Sequence, residues 1–438
     1  MTRRLVLSIF FGLLPLVAQD SLKSLTILHS NDLHAHLTPD DRGRGGFARL
    51  ATAVRREKAG CGACIYLNAG DLVQGTPVST LFSGMPVYEI GNRLGLDVST
   101  LGNHEFDYGW RRAQEFNRKA KYPLLSANVV DAKGNSITGR PTIIKNVGGV
   151  RVGIIGVLLG NLVGDMITAK QAGDWRVLPV VETVRKYASA LRGQVDVIVV
   201  LGHIRDKEEV EAILHQVPEV AVVVAGHNHQ SYSRMMNVDG RVAVLVQGYG
   251  EELGRLDLKV DTTARKVRSV EWKKIAIDKS FTPAPDVESL VNQWEAKVAK
   301  IVDTPIGAST KRIAERAELR PIIEKAMAEQ TGADIGWINL GGIRDVLPEG
   351  PLLARHIWNI LPFDNYIVTG RFKGSALPKA ITERYPVEPN REYTVAVTDF
   401  TAANQASQFG TKNLVFPNTG PLERDAVIDW IKKKKVIP

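Results

Sequence analysis

Short apolar runs punctuate the first 250 residues: LTILHS from Leu25, CIYLNAG from Cys64, DVSTLG from Asp97, VRVGIIGVL from Val150, VDVIVVLG from Val195, VAVVVAG from Val220 and VAVLVQG from Val242. Each is rich in Val and Ile and ends at glycine or a polar cluster, the pattern of a strand buried on both faces. Stretches with helical spacing lie between them: FARLATAVRREKAG after the first run, GWRRAQEFNRKAK after the third, VETVRKYASALRGQ after the fourth and KEEVEAILHQV after the fifth. Strands alternating with helices predict a layered α/β domain. Beyond it, Pro283 and Pro285 mark a turn. Val287 to Val302 then read as a helix with Leu290, Trp294, Val298 and Ile301 on one face, either an interdomain connector or a helix packed against one domain. A further α/β segment runs to the C-terminus. With 438 residues, two domains are expected. The expected boundaries are 22–278 and 305–438, with a linker helix over 279–304.

Hydrophobic residues make up 44% and charged residues 24%, which excludes a disordered chain. The first twenty residues, MTRRLVLSIFFGLLPLVAQD, carry a basic start, an apolar run and a small residue, Ala18. They read as a secretory signal peptide over 1–19, with an uncleaved anchor as the alternative. No later run approaches a membrane span. A periplasmic or secreted protein without a membrane anchor is expected. Cys61 and Cys64, the two cysteines, form a C-x-x-C pair. In an exported chain such a pair closes a small disulfide; two buried thiols are the alternative. The formal charge of +9 suits anionic substrates, but no nucleic-acid motif accompanies it, so no nucleic-acid partner is expected. No G-x-S-x-G elbow is present and neither cysteine adjoins a base, so Ser and Cys hydrolase chemistry has no support.

The residues after the runs share a chemical character. Asp32 and His34 follow the first, Asp71 the second, Asn103 and His104 the third, His203 the fifth, and His227 and His229 the sixth. In open α/β sheets, sites gather at the carboxyl ends of strands. Of nine histidines, five stand at these ends. Seven mixed carboxylate, amide and imidazole donors (Asp32, His34, Asp71, Asn103, His203, His227, His229) exceed one tetrahedral zinc. They suit two divalent ions such as Zn, Mn, Co or Fe, with Asp71 as the natural bridge.

The ordered blocks ILHSNDLHAHL, AGDLVQGTP, TLGNHEFDYG, GH at 202–203 and AGHNH closely resemble the calcineurin-like metallophosphoesterases, and more narrowly the exported 5′-nucleotidase and UDP-sugar hydrolase family. The resemblance implies a four-layer β-sandwich flanked by helices, followed by a smaller α/β domain that binds substrate. It places Asp32, His34 and His229 on one metal, Asn103, His203 and His227 on the other, and Asp71 between. It pairs His104 with Asp107 as the catalytic couple and leaves His36 behind the ligands or simply in the core. In the second domain NLGGIRDVLPEG and NILPFDNYIVTG match the family's substrate blocks. Asn339 and Arg344 then match a substrate loop, Phe363 one stacking aromatic, and Phe400 the second. Some positions depart from the family pattern. Leu340 replaces a glycine, Ala406 falls near an expected Asp, and none of Arg312, Arg316 and Arg320 aligns cleanly with the family's arginine. The implied activity is metal-dependent hydrolysis of a small phosphate ester, a nucleotide first. The alternatives are a nucleotide sugar, a 2′,3′-cyclic nucleotide, a non-nucleotide phosphate or a sulfur ester, or a binding protein that no longer turns over.

Overall fold

The computed structural model describes residues 21–411 and 413–438. The expected signal peptide lies outside them. Among the described residues no helix is long and apolar enough to cross a membrane.

Two six-stranded sheets form the first part of the chain. The first has the order Lys266–Ala276, Glu252–Asp261, Leu22–Ser30, Cys64–Asn68, Val98–Thr100, Leu124–Leu125. The second has the order Met236–Val238, Arg241–Val244, Val222–Gly226, Val197–His203, Val150–Leu158, Thr142–Val147. Every run marked in the sequence is a strand. The sheets pack face to face through Ile27, Leu67, Ile154, Val199 and Val224, all buried. Helices Phe47–Ala59 and Trp110–Lys119 cover the outer face of the first sheet, and Val180–Leu191 and Glu211–Gln216 that of the second. The result is the expected four-layer sandwich. Burial of the strands on both faces explains their unbroken apolar character.

The inner strands of each sheet run parallel, and their registers align the strand ends: Ser30 faces Asn68, Leu158 faces His203, and His203 faces Gly226. The polar residues that follow these strands therefore emerge along one edge.

Helix Pro285–Val302 buries Val287, Leu290, Val291, Val298 and Val302. All five belong to the core beneath the first sheet. It is therefore a layer of the first part rather than a free connector. Ile301, expected on the buried face, is exposed, because the helix turns its Val287–Val291–Val298–Val302 stripe inward. The remaining chain builds a four-stranded sheet, a three-stranded sheet and the helices Arg316–Thr331 and Glu423–Lys434 around separate cores. This is the smaller α/β portion. Trp358 touches the cores of both parts. Cys61 and Cys64 are joined as a disulfide at the start of the second strand, with Cα atoms 6.0 Å apart.

Candidate metal centre and active site

All seven residues expected at the metals converge. Asp32, His34, Asp71 and His229 each present a donor atom, and these four atoms lie within 4.8 Å of one another. His203 Nε2 lies 3.1 Å from both Asp71 Oδ2 and Asn103 Oδ1, and His227 Nδ1 lies 3.2 Å from Asn103 Oδ1.

The loops bearing these groups are unusual in their backbone. Asp32, His34, Asp71, His227 and His229 all have positive φ, between 47° and 91°. Non-glycine residues rarely adopt this region, and each such residue stores on the order of 1–3 kcal/mol that the surroundings must offset. Here neighbouring loops lock the turns. Asp32 N donates to Gly70 O (3.1 Å), His34 N to Asp71 O (3.0 Å), and Tyr249 N to Asp32 O (2.7 Å). Gly102 has to be glycine, since a Cβ there would lie 2.0 Å from Asp71 Oδ1.

The outer contacts of the histidines fix which nitrogen faces the cluster. His34 Nδ1 faces Gln74 O (3.2 Å) and His203 Nδ1 faces Ala69 O (2.8 Å). A carbonyl only accepts, so Nδ1 carries the proton in each ring and Nε2 turns a lone pair inward. His34 Nε2 and His229 Nε2 then stand 2.9 Å apart. Asp71 Oδ2 is buried and accepts no hydrogen bond among the described residues. Acceptors crowded in this way demand a cation, and the donor set fits divalent metal. The ionisation of the cluster agrees. Burial opposes charge on His203, but Asp71 overrides it and raises its pKa to about 9. Burial lifts Asp71, yet His203 and His104 hold it well below the usual carboxylate value. The pair attracts positive charge, proton or metal alike. Burial lowers His227 to about 3, so its ring stays neutral and available as a donor.

His104 follows Asn103 directly. Its N–H donates to Asp71 Oδ1 (2.9 Å) and its Nδ1 contacts Asp107 Oδ2 (2.7 Å). Burial opposes charge on its imidazole, but Asp107 and Asp71 raise its pKa overall. His36 is half-buried against Tyr249, ring centres 4.3 Å apart, and desolvation lowers its pKa to about 4. It stands outside the cluster.

A cavity of about 360 Å³ joins this centre to the second part of the chain. Asp71, Asn103 and His104 line it on one side, and Asn339, Arg344, Phe363 and Phe400 on the other. The Phe363 ring stacks on His104 (5.7 Å, 25°), and Arg344 sits over Phe363 at 5.9 Å. The four residues expected at the substrate are thus brought together with the metal cluster. Phe363 has its ring contact with His104, while Phe400 shares the cavity. Of the three unaligned arginines, Arg312 pairs with Asp41 (3.0 Å) and Arg320 with Glu324 (2.8 Å). Arg316 lines a second cavity, of about 510 Å³, together with His36, Tyr249 and Arg344.

Two residues escaped the sequence reading. Glu105 is fully buried and accepts from the N–H groups of Asp71 (3.1 Å), Leu72 (3.0 Å) and Gly102 (2.6 Å). It clamps the loops that carry Asp71 and Asn103, and burial raises its pKa to about 7. Tyr249 packs on His34 and places its hydroxyl 3.1 Å from His229 Nδ1. The position of Glu105 within GNHEFDYG was the available signal for the first; Tyr249, in the loop between the strands Arg241–Val244 and Glu252–Asp261, had none.

Residues 25–231 match the model of the calcineurin-like phosphoesterases, and residues 297–385 that of the 5′-nucleotidase C-terminal domain. The chain is 26% identical to endonuclease YhcR of Bacillus subtilis, over 93% of this chain but 39% of that protein's length. It is 30% identical to the 5′-nucleotidase of Bos taurus, over 81% of this chain and 71% of that one. The crystal structure of a 5′-nucleotidase precursor from Thermus thermophilus superposes with a TM-score of 0.85 at 22% identity, over 95% of this chain and 97% of that one. The chain therefore belongs to the 5′-nucleotidase family and is a metal-dependent phosphoric ester hydrolase.

Proposed function

We propose that the protein hydrolyses nucleotides, nucleoside 5′-monophosphates first, outside the cytoplasm. The observation that carries this reading is the single cavity with the Asp/His cluster and His104 at one side and Phe363, Phe400 and Arg344 at the other. In it a phosphate reaches the cluster while a flat ring lies against phenyl faces, a contact that gains stacking energy for any base. The relatives named 5′-nucleotidase support the same substrate class. Export rests on the N-terminal sequence, and the disulfide agrees with it.

Asp32, His34 and His229 would hold one divalent ion, Asn103, His203 and His227 a second, with Asp71 shared; Zn, Mn, Co or Fe suit the set. Bound there, two such ions supply charge to phosphate oxygens and acidify water. The chain's own residues do the rest. Asp107 accepts from His104 Nδ1 and, with Asp71, favours the imidazolium, whose Nε2–H can then pass to the leaving ester oxygen. Arg344 balances phosphate charge, and Phe363 excludes water from above His104. A nucleotide sugar is the second reading. The cavity behind Arg344 favours it, because Arg316 there meets the Tyr249 hydroxyl but forms no ion pair among the described residues, and so can take a further anionic group.

The test is a substrate panel with metal-reloaded enzyme: nucleoside mono-, di- and triphosphates, cyclic nucleotides, nucleotide sugars and p-nitrophenyl phosphate. Nucleoside monophosphates should give the highest kcat/KM, and Phe363→Ala should remove that advantage while sparing p-nitrophenyl phosphate. Nucleoside monophosphates hydrolysed no better than p-nitrophenyl phosphate, with Phe363→Ala without effect, would refute the nucleotide reading.

A further inference from the structure

Residues 160–173 leave the strand Val150–Leu158 and form a wall of the active cavity, contributing Asp165, Met166 and Gln171. The segment is tied down at three places. At its start, Gly160 N donates to Glu209 Oε1 (2.7 Å) and Gly160 O accepts from Arg205 Nη1 (2.7 Å). At its end, Gln171 closes a capping box with Thr168 and its Nε2 donates to Asp107 O (3.1 Å). In the middle, Gly164 O accepts from Ser407 Oγ (3.0 Å), on the short helix that follows Phe400. The strap thus bridges the His104–Asp107 couple and the ring-binding side, with Asp165 beside its contact to Ser407.

Three further carboxylates line this cavity besides Asp71. Asp107 is committed to His104 and Asp364 to the buried Arg424, each at 2.7 Å. Asp165 has a looser pairing, 3.4 Å from Arg205 Nη2, and its side chain is 36% exposed. This single long contact with Arg205 leaves oxygen lone pairs of Asp165 without a partner among the described residues. A carboxylate accepts hydrogen bonds and donates none.

We propose that Asp165 is a specificity-determining residue: its carboxylate accepts from the amino group of a base held beside Phe363 and Phe400, so cytosine and adenine nucleotides are favoured over their keto counterparts. This rests on the nucleotide reading above. An amino edge donates to Asp165, whereas a keto oxygen in the same place opposes one acceptor to another. Asparagine at this position would match either edge by rotating its amide, and discrimination would collapse.

The experiment compares kcat/KM for CMP against UMP and for AMP against IMP, in wild type and Asp165→Asn, with 2′-deoxy substrates and p-nitrophenyl phosphate alongside. Wild type should favour CMP and AMP by about tenfold, as expected for a charged acceptor meeting a donor or an acceptor. Asp165→Asn should bring both ratios within about threefold of unity, chiefly through KM, and leave p-nitrophenyl phosphate unchanged. Ratios near unity in wild type, or unaltered in the variant, overturn the proposal. So does a uniform loss on all substrates, which marks the strap as structural. A changed ribose-to-deoxyribose ratio with the base ratios intact also overturns it, by assigning Asp165 to the sugar. Hydrolysis of p-nitrophenyl phosphate but of no nucleotide is a separate pattern, in which the nucleotide reading itself fails and this proposal with it.

Discussion

His104 illustrates how one residue is prepared by its neighbours. Its backbone is tied to Asp71, its ring to Asp107, and its face is covered by Phe363. His104→Ala should lower turnover by roughly 10²- to 10⁴-fold, the usual worth of a positioned proton donor. Metal content, read by elemental analysis, should stay near the wild-type level, because the ring meets the edge of His34 but turns its Nδ1 to Asp107 and is not among the residues expected to hold the ions. Full activity in a metal-loaded variant would remove His104 from the mechanism. At this scale the sequence was informative, because Asp, Asn and His are chemically distinctive and each stood directly after an apolar run. Glu105 was missed because its work is done on the backbone N–H groups of Asp71, Leu72 and Gly102. No residue-type pattern announces such a contact.

The elements translate these contacts into stability. Glu105→Ala would leave three buried N–H groups without an acceptor, at about 1–3 kcal/mol for each group left unsatisfied. The groups share one acceptor and will not add fully. A net loss of roughly 2–4 kcal/mol in urea unfolding is expected, with reduced metal retention. Glu423 begins the helix Glu423–Lys434 and is buried, with Oε1 unpartnered among the described residues. Burial raises its pKa from 4.5 to about 8. The folded value lies above the unfolded one, so its contribution to stability is present below pH 4.5 and is lost as pH rises through about 8. Glu423→Gln should therefore raise Tm relative to wild type at pH 9 and change it little at pH 4. An equal shift at both pH values would show that packing, not ionisation, governs the position. Helix Pro285–Val302 was legible as a helix but not in its placement. An amphipathic stripe fixes which residues are buried together, not which core receives them.

For the whole molecule, the central fact is that the cavity is built from two separately cored parts. Thr80 Oγ1 donates to Pro362 O (2.9 Å), Ser407 Oγ to Gly164 O (3.0 Å), and Arg312 to Asp41 (3.0 Å) across the boundary. These polar links, with Arg355 to Glu295 on helix Pro285–Val302 (2.6 Å) and the shared Trp358, form a largely polar interface of the kind across which domains move relative to each other. Metal removal should act on the first part. A chelator should abolish hydrolysis and lower Tm, since a ligand bound only by the folded state stabilises by about 2.7 kcal/mol at 100 times its Kd. Restoring Mn²⁺ or Zn²⁺ should recover both. A Tm indifferent to chelator and metal would mean that the cluster does not hold an ion tightly.

The sequence alone determined the strands, most of the helices and the chemical identity of the site, because each is written locally: an apolar run, then a polar residue of a particular kind. Tertiary structure decided what depends on pairing between distant segments. Parallel register aligned the strand ends within each sheet, packing of the two sheets brought those ends to one edge, and backbone bonds between loops hold Asp32, His34 and Asp71 at positive φ. The carbonyls of Gln74 and Ala69 chose which histidine nitrogens face inward. The strap at 160–173 became a wall of the cavity only when Ser407 and Asp107 were placed on either side of it. Its local signature, the Thr168–Gln171 capping box, marks a helix start and not where the segment lies, so its position follows from contacts that no local pattern encodes.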